Sequence, residues 1–249
     1  MYYFLCVNYD STDFVEKWAN SINELNLNCE KVVVDCYHST DEREKIKKLA
    51  ESKCFDLLYV DNIGYGRGLN LGLSYLSTKI KETQFSIMFG NSDIEFTSIG
   101  NIGDETVCIA PEIFEGSRNR NPFLTRFQGR FLWLYDLAYY LRSRIIKRLA
   151  SVVMKGLSIV PSKTYAVHGS LFVVENHIPT LPFNENTFLY CEEMEFAEYL
   201  MHQGIRIVKS ENYSGKHFGG VSTSKAFVGA KHKFSNWRVS WKNYRDRQC

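Results

Sequence analysis

The stretch MYYFLCVNYDSTDFVEKWANSINELNLNCEKVVVD, residues 1–35, sets the rhythm of the chain. Tyr2–Asn8 is a continuous apolar and aromatic run of strand length. Ser11 then fits a helix N-cap, and Phe14, Val15, Trp18, Ile22 and Leu25 recur on one face of the helix it opens. Residues 31–35, KVVVD, predict a second strand. The pattern repeats downstream. Thr40 or Asp41 caps a charged helix to about Ser52, residues 55–60 (FDLLYV) form a third strand, and a helix follows from about Gly68 to Lys81. Residues 85–89 form a fourth strand that ends at Gly90-Asn91-Ser92-Asp93. Strands alternating with helices at this spacing predict an α/β fold with a mostly parallel central sheet.

After residue 100 the rhythm loosens. Residues 107–110, 169–174 and 205–208 predict strands, 131–150 a helix with aromatic and basic faces, and 192–203 a helix ended by Gly204. All five prolines lie in this half, which reads as the variable part of a single domain.

The composition suits such a fold. A chain of 249 residues, 45% hydrophobic and 23% charged, is long enough to bury a sizeable core, and its balance excludes disorder, collagen and coiled coil. The longest mostly apolar run, 131–141, contains Asp136 and falls short of the ~20 residues a spanning helix needs, so no membrane span is expected. The N-terminus shows neither a basic region nor a small-residue cleavage site, so no signal peptide is expected. Seven scattered cysteines without a C-x-x-C argue against a disulfide framework or zinc site and for a reducing cytosol. The net charge of +2 conceals an asymmetry. Segment 118–155 carries +8 and segment 225–249 carries +6, leaving −12 for the rest, which suggests a surface for a polyanion or an anionic membrane.

In open α/β sheets, ligands sit beyond the carboxyl ends of the strands. Those ends carry Asn8-Tyr9-Asp10, Asp35, the run from Asn62 through Gly64, Gly66, Arg67 and Gly68 to Asn70, and Asn91-Ser92-Asp93. The glycine spacing and its place after the third strand do not fit a dinucleotide fingerprint, and no phosphate-binding P-loop motif exists. Taken alone, the glycine run reads as a tight turn with close helix packing.

The segments VNYDSTDFVEKWANSI (7–22), VVVDCYHSTD (32–41), NIGYGRGLNLGLSYL (62–76), FGNSDIEF (89–96), GSLFVV (169–174), PFNENTFLYCEEMEF (182–196) and HFGGVS (217–222) occur in that order. The series resembles a bacterial family 2 glycosyltransferase of GT-A fold, near the rhamnosyltransferase-like branch. The resemblance covers roughly residues 3–100 and 168–222 and implies a Rossmann-like nucleotide-binding half over 1–100 and an acceptor and catalytic half over 101–223; residues 112–165 and the basic aromatic tail over 224–249 lie outside it. It implies that Tyr9 and Asp35 hold the nucleotide base. Asn62, Gly64, Arg67 and Asn70 would lie along the nucleotide sugar, and Asn91 and Ser92 beside the diphosphate. Asp93 would bind Mn2+ or Mg2+, with His217 completing the metal shell. Glu192-Glu193 matches the family's acidic pair, whose second member supplies the base. The chain departs from the family in Asn91, in Asn184-Glu185 where Asp-Glu is usual, and in Glu at the base position, which leaves Glu192 as the alternative base. Glu192 or Glu195 would orient the acceptor.

The chemistry is consistent with this series. A departing diphosphate is stabilised by a hard cation on a carboxylate, and the acceptor hydroxyl needs a carboxylate base. Neighbouring helix residues point about 100° apart, so Glu192 and Glu193 do not flank one bond as a hydrolase pair. His168, His177 and His232 read as structural. The expectation is an inverting transfer from a UDP- or dTDP-sugar to a saccharide, on a polyprenyl diphosphate, at the inner face of the bacterial plasma membrane. The basic segments and Trp133, Trp237 and Trp241 would meet an anionic membrane, not nucleic acid. A homodimer is compatible with this, and a non-catalytic sugar-nucleotide-binding or scaffold protein of the same fold is the alternative.

Overall fold

The computed structural model describes residues 1–36, 39–219 and 230–247. Strand β1 (Tyr2–Asn8) pairs in parallel with β2 (Cys29–Cys36) and β4 (Ser86–Asn91), and β2 pairs in parallel with β3 (Asp56–Val60). Helices α1 (Thr12–Glu24), α2 (Thr40–Lys53) and α3 (Tyr65–Lys79) connect them. The sheet continues through β10 (Leu171–Glu175), β6 (Val107–Glu115), β11 (Arg206–His217) and β5 (Ile94–Ser98), with a short β7 (Arg118–Asn119) on β6. The order is β3-β2-β1-β4-β10-β6-β11-β5. β10 runs antiparallel to both neighbours and β5 antiparallel to β11, while β6 and β11 are parallel. This is the mostly parallel α/β sheet that the sequence predicts.

Period-two geometry explains why β1 is apolar throughout. Tyr3, Leu5 and Val7 enter one core with Leu69, Leu73 and Leu76 of α3, while Phe4 and Cys6 enter the opposite core with Val15, Trp18 and Ile22 of α1. α3 begins at Tyr65, earlier than expected, and packs so tightly that a Cβ on Gly72 would lie 2.2 Å from Leu5 Cδ1. α2 is capped by Ser39, not Thr40 or Asp41; the Ser39 hydroxyl accepts the Glu42 N–H at 3.3 Å.

The second half departs further from the sequence expectation. After the two-residue β8 (Leu124–Thr125), which pairs with β9 (Thr164–Ala166), come α4 (Arg126–Gly129), α5 (Trp133–Tyr140) and α6 (Arg144–Leu157). The single helix expected over 131–150 is therefore two. Arg142 takes φ 51°, and Ser143 starts a new helix by accepting the Ile146 N–H at 3.2 Å. β11 is far longer than the short strand expected over 205–208, because its outer half pairs with β5. α7 (Glu192–His202) forms where expected. The final helix α8 (Ala230–Asp246) buries Trp237, Trp241 and Tyr244 in a third core with Tyr135 and Met194. Trp237 and Trp241 are thus internal packing residues, and of the three tryptophans expected at an interface only Trp133 is exposed. Among the described residues no helix is long and apolar enough to cross a membrane.

Candidate active site

The carboxyl ends of β1, β3 and β4 open onto one cleft of about 470 Å³, a volume typical of small-molecule sites. Tyr9, Asn62, Gly64, Asn91, Ser92, Asp93 and His217, the last on β11, line it from the sheet side, and Glu192 and Glu193 line it from the start of α7. Three other expected residues do not line it. Asp35 is buried beneath, where its carboxylate accepts a hydrogen bond from Asn8 Nδ2 at 2.8 Å; burial pushes its pKa up to about 6. Arg67 is exposed on α3. Asn70 is buried and clasps the backbone of Phe183, donating to its carbonyl at 2.9 Å and accepting its N–H at 3.3 Å. Asn70 therefore holds the Phe183 loop against α3.

Asp93 and His217 meet because of sheet register. β11 runs antiparallel to β5 with His217 opposite Ile94, and the Phe218 N–H donates to the Asp93 carbonyl at 3.0 Å. His217 Nε2 lies 3.3 Å from Asp93 Oδ1, and both side chains are nearly buried. Neither ring nitrogen of His217 has a hydrogen-bond partner. A buried imidazole without a partner beside a buried carboxylate is unfavourable unless something else joins them. An oxygen-preferring divalent cation fits this pair, with phosphate oxygens as further ligands. Among the described residues no group of three ligating side chains forms, so those residues offer only part of a coordination shell.

The acidic pair stands on strained backbone. Tyr190 and Cys191 take φ of 80° and 75°, a region that non-glycine residues avoid and that collects at functional sites. Directly after them Glu192 and Glu193 start α7, where the helix dipole favours negative charge. The two carboxyls diverge. Glu192 is buried toward Gly66, and its Oε1 has no hydrogen-bond partner; burial and then the Glu193 charge push its pKa well above the carboxylate range. Glu193 lies over Gly169, where an added Cβ would sit 2.9 Å from Oε1. Burial also raises Glu193, and the Gly169 backbone partly offsets this. Gly169 is central here, since its carbonyl accepts from Tyr65 Oη at 2.8 Å and the next residue's carbonyl accepts the Asn91 N–H at 3.0 Å.

Glu195 does not enter the cleft. It accepts from the Asn184 N–H at 2.9 Å and the Thr187 hydroxyl at 3.2 Å, tying down the loop before α7. Asn184 also donates to the Asn243 carbonyl at 3.3 Å and so fastens this loop to α8. On the sheet side, the Gly64 φ of 92° lets the turn run against the Phe188 carbonyl, which accepts the Tyr65 N–H at 3.1 Å.

Sequence reasoning missed the far wall. Tyr135, Lys147, Trp237 and Trp241 line the cleft from α5, α6 and α8. Lys147 Nζ lies 4.9 Å from the Trp237 ring centroid, with no carboxylate in ion-pair reach among the described residues, and burial lowers its pKa. The available signal was its spacing from Ala150, Ser151 and Met154, which share the inward side of α6. His168, expected to be structural, also lines the cleft, with Nδ1 2.8 Å from Ser170 Oγ and its ring 5.9 Å from that of His217.

No protein-family profile and no curated protein sequence matches the chain. Solved structures do match its fold. TarS of S. aureus aligns with a TM-score of 0.52 at 13% identity, covering 88% of this chain and 36% of TarS, so the chain spans about a third of that protein. Glucosyl-3-phosphoglycerate synthase from Mycobacterium tuberculosis, in complex with Mn2+, UDP-glucose and phosphoglyceric acid, aligns at 0.54 and 11% identity over 99% of this chain and 79% of its own. A mannosyltransferase from Pyrobaculum calidifontis in complex with GDP-Man and Mn2+ aligns at 0.51 and 11% identity, over 96% of this chain and 68% of its own. The curled, mostly parallel sheet of this chain is the GT-A fold of those glycosyltransferases.

Proposed function

We propose that the protein is an inverting, metal-dependent glycosyltransferase that moves a sugar from a UDP- or dTDP-sugar to a saccharide acceptor. The observation that carries this reading is the meeting of Asp93, His217 and Glu193 on one cleft at the strand ends. Tyr9 and Asn62 border the floor where the nucleotide would lie, with Asp35 fixing the strand end beneath through Asn8. Asp93 and His217 would hold Mn2+ or Mg2+, which supplies Lewis-acid stabilisation of the leaving diphosphate. Glu193 is the base. Its carboxylate takes the proton of the acceptor hydroxyl as that oxygen bonds to the anomeric carbon. The bond to the diphosphate breaks in the same displacement, and the electron pair leaves with the nucleoside diphosphate. A single displacement inverts the anomeric centre. What favours Glu193 over Glu192 is direction: Glu192 is buried against α3, while Glu193 faces Gly169 in the turn that leads from β9 into β10.

The acceptor would be a saccharide on a polyprenyl diphosphate, used in bacterial surface polysaccharide assembly at the cytoplasmic face of the plasma membrane. Lys147 supports an anionic acceptor, because a half-buried ammonium on the far wall without a carboxylate partner suits a phosphate. A panel of nucleotide-diphosphate sugars, assayed for nucleoside diphosphate release with and without Mn2+, tests the reading. Metal-stimulated turnover of one donor supports it. Donor binding without turnover in the presence of saccharide acceptors would establish the non-catalytic alternative.

A further inference from the structure

Seventeen large hydrophobic side chains are exposed among the described residues, and ten of them fall between Trp133 and Val160. They are not scattered. On α6, Ile145, Leu149 and Val152 share one side at i, i+4 and i+7 and are 71%, 59% and 67% exposed. The opposite side of the same helix is also apolar, but it packs inward through Ala150 and Met154. On α5, Trp133, Leu137 and Tyr140 repeat the spacing and are likewise exposed, and Ile159 follows α6 at 83%. An ordinary surface helix has one apolar stripe and one polar face. These two helices carry a second stripe that the described residues leave uncovered.

The charges beside this stripe have one sign. Arg142, Arg144, Arg148 and Lys155 are exposed, and none has a carboxylate in ion-pair reach among the described residues. The one anion of segment 118–155, Asp136, is half-buried and engaged by Trp241 Nε1 at 2.9 Å and by Arg245 Nε at 2.7 Å. A second copy of this chain would bring cations against cations. A sheet of anionic headgroups over an apolar interior complements both features.

The geometry points to the outer face of the α5–α6 pair as a membrane-docking surface that lies in the headgroup region of an anionic bilayer. Ile145, Leu149 and Val152 enter the acyl boundary, and Arg144, Arg148 and Lys155 meet lipid phosphates. At 100° per residue, Lys147 points about 180° away from this stripe, into the cleft. α6 is therefore a wall one helix thick between bilayer and active site, and an acceptor anchored in the membrane needs to pass only that helix. The purpose of the surface rests on the transferase reading, but its test does not, since vesicle binding requires no turnover.

Sedimentation of the full chain with vesicles of equal parts phosphatidylglycerol and phosphatidylcholine tests this. Binding is expected at low salt, with little binding to phosphatidylcholine alone. The triple variant Ile145→Gln, Leu149→Gln, Val152→Gln should bind at least about tenfold more weakly, because three apolar side chains leave the interface. The triple variant Arg144→Gln, Arg148→Gln, Lys155→Gln should lose about a hundredfold at low salt, near fivefold per cation, and lose much of its salt dependence. Val239→Gln, at an exposed apolar site on α8, should bind like the parent. Thermal unfolding confirms that each variant is folded. As a second readout, brominated lipid should quench the fluorescence of Trp133, with the Trp133→Phe variant as reference. No binding by the parent at low salt overturns the proposal. So does parent-like binding by the apolar triple variant, or a solution dimer that this variant dissociates. Failure of every donor to turn over, with vesicle binding intact, would remove the transferase reading and leave the docking surface standing.

Discussion

The two walls of the cleft are built on opposite principles. On the sheet side, α1 turns Val15, Trp18 and Ile22 fully inward and leaves charge outside, so the strand ends rest on helices whose surfaces are complete. On the far side, α5 and α6 turn apolar residues both ways, and α8 supplies Trp237 and Trp241 to close the inner face. The sheet wall is rigid because β1, β2 and β4 are buried on both faces over most of their length, and such a wall suits a ligand part that never varies, such as a nucleotide diphosphate. The far wall is a thin helical layer joined by short turns, where residues can change without disturbing the sheet. The comparison teaches that the donor and acceptor functions should separate in variants along the line between the walls.

The largest effect is expected at Asp93 and His217, the proposed metal pair of the sheet wall. Asp93→Asn keeps the shape and removes the charge. Turnover should fall by about three orders of magnitude or more, the several kcal/mol that a Lewis acid contributes, and metal-dependent donor binding should weaken with it. Calorimetry of donor binding with and without Mn2+ checks the second half of that statement, and undiminished turnover would remove Asp93 from the metal site. Glu193→Gln should cost about 10²–10⁴-fold in turnover and leave donor affinity intact, because the base acts on the acceptor. An active Glu193→Gln beside a dead Glu192→Gln would reverse the assignment within the pair.

The far wall should respond differently. Lys147→Met removes one charge and keeps an unbranched stem over Trp237. With a phosphate-bearing acceptor, its KM should rise about tenfold to a hundredfold, the worth of a hydrogen bond to a charged group, while the donor KM is unchanged. Equal effects on both KM values would abolish the division between the walls.

The smallest effect concerns pH. Burial raises Glu195 from its ordinary 4.5 to about 7. Between those values the folded protein holds a proton that the unfolded chain releases. The contribution is therefore complete below pH 4.5 and is lost as pH rises through 7, at up to about 1.4 kcal/mol per unit. Glu195→Gln stays neutral and should flatten this dependence. The difference in Tm between parent and variant, measured at pH 5 and pH 8, should change by several degrees. A parallel pair of Tm curves would show that Glu195 titrates normally.

What could be read in advance follows the same line. The strands and helices up to Asn91 were legible because each is a short periodic run between turn residues, and parallel βαβ units leave few alternatives. The polar strand ends were legible as a group, but not the tasks of Asn70 and Asp35, since an amide or carboxylate can face a ligand or a backbone equally well. The break at Arg142 escaped notice because no glycine or proline marks it. The fate of Trp237 and Trp241 escaped because a basic aromatic segment, expected only as a tail, reads alike whether it meets lipid or folds as a helix onto protein.

By itself the sequence determined the mostly parallel sheet, the cleft edge at the strand ends, and the presence of an acidic pair opening a helix. These depend on hydrophobic periodicity and turn chemistry, which act over a few neighbouring residues. Tertiary structure alone decided how His217 reaches Asp93, through the register of β11 against β5, and that Lys147 faces the cleft. It also decided which of the two apolar faces of α6 is inside. A helix with two such stripes presents each with the same spacing, and only the burial of Ala150 and of Met154, the latter in one core with residues of α7, α8 and the β8–β9 pair, selects between them.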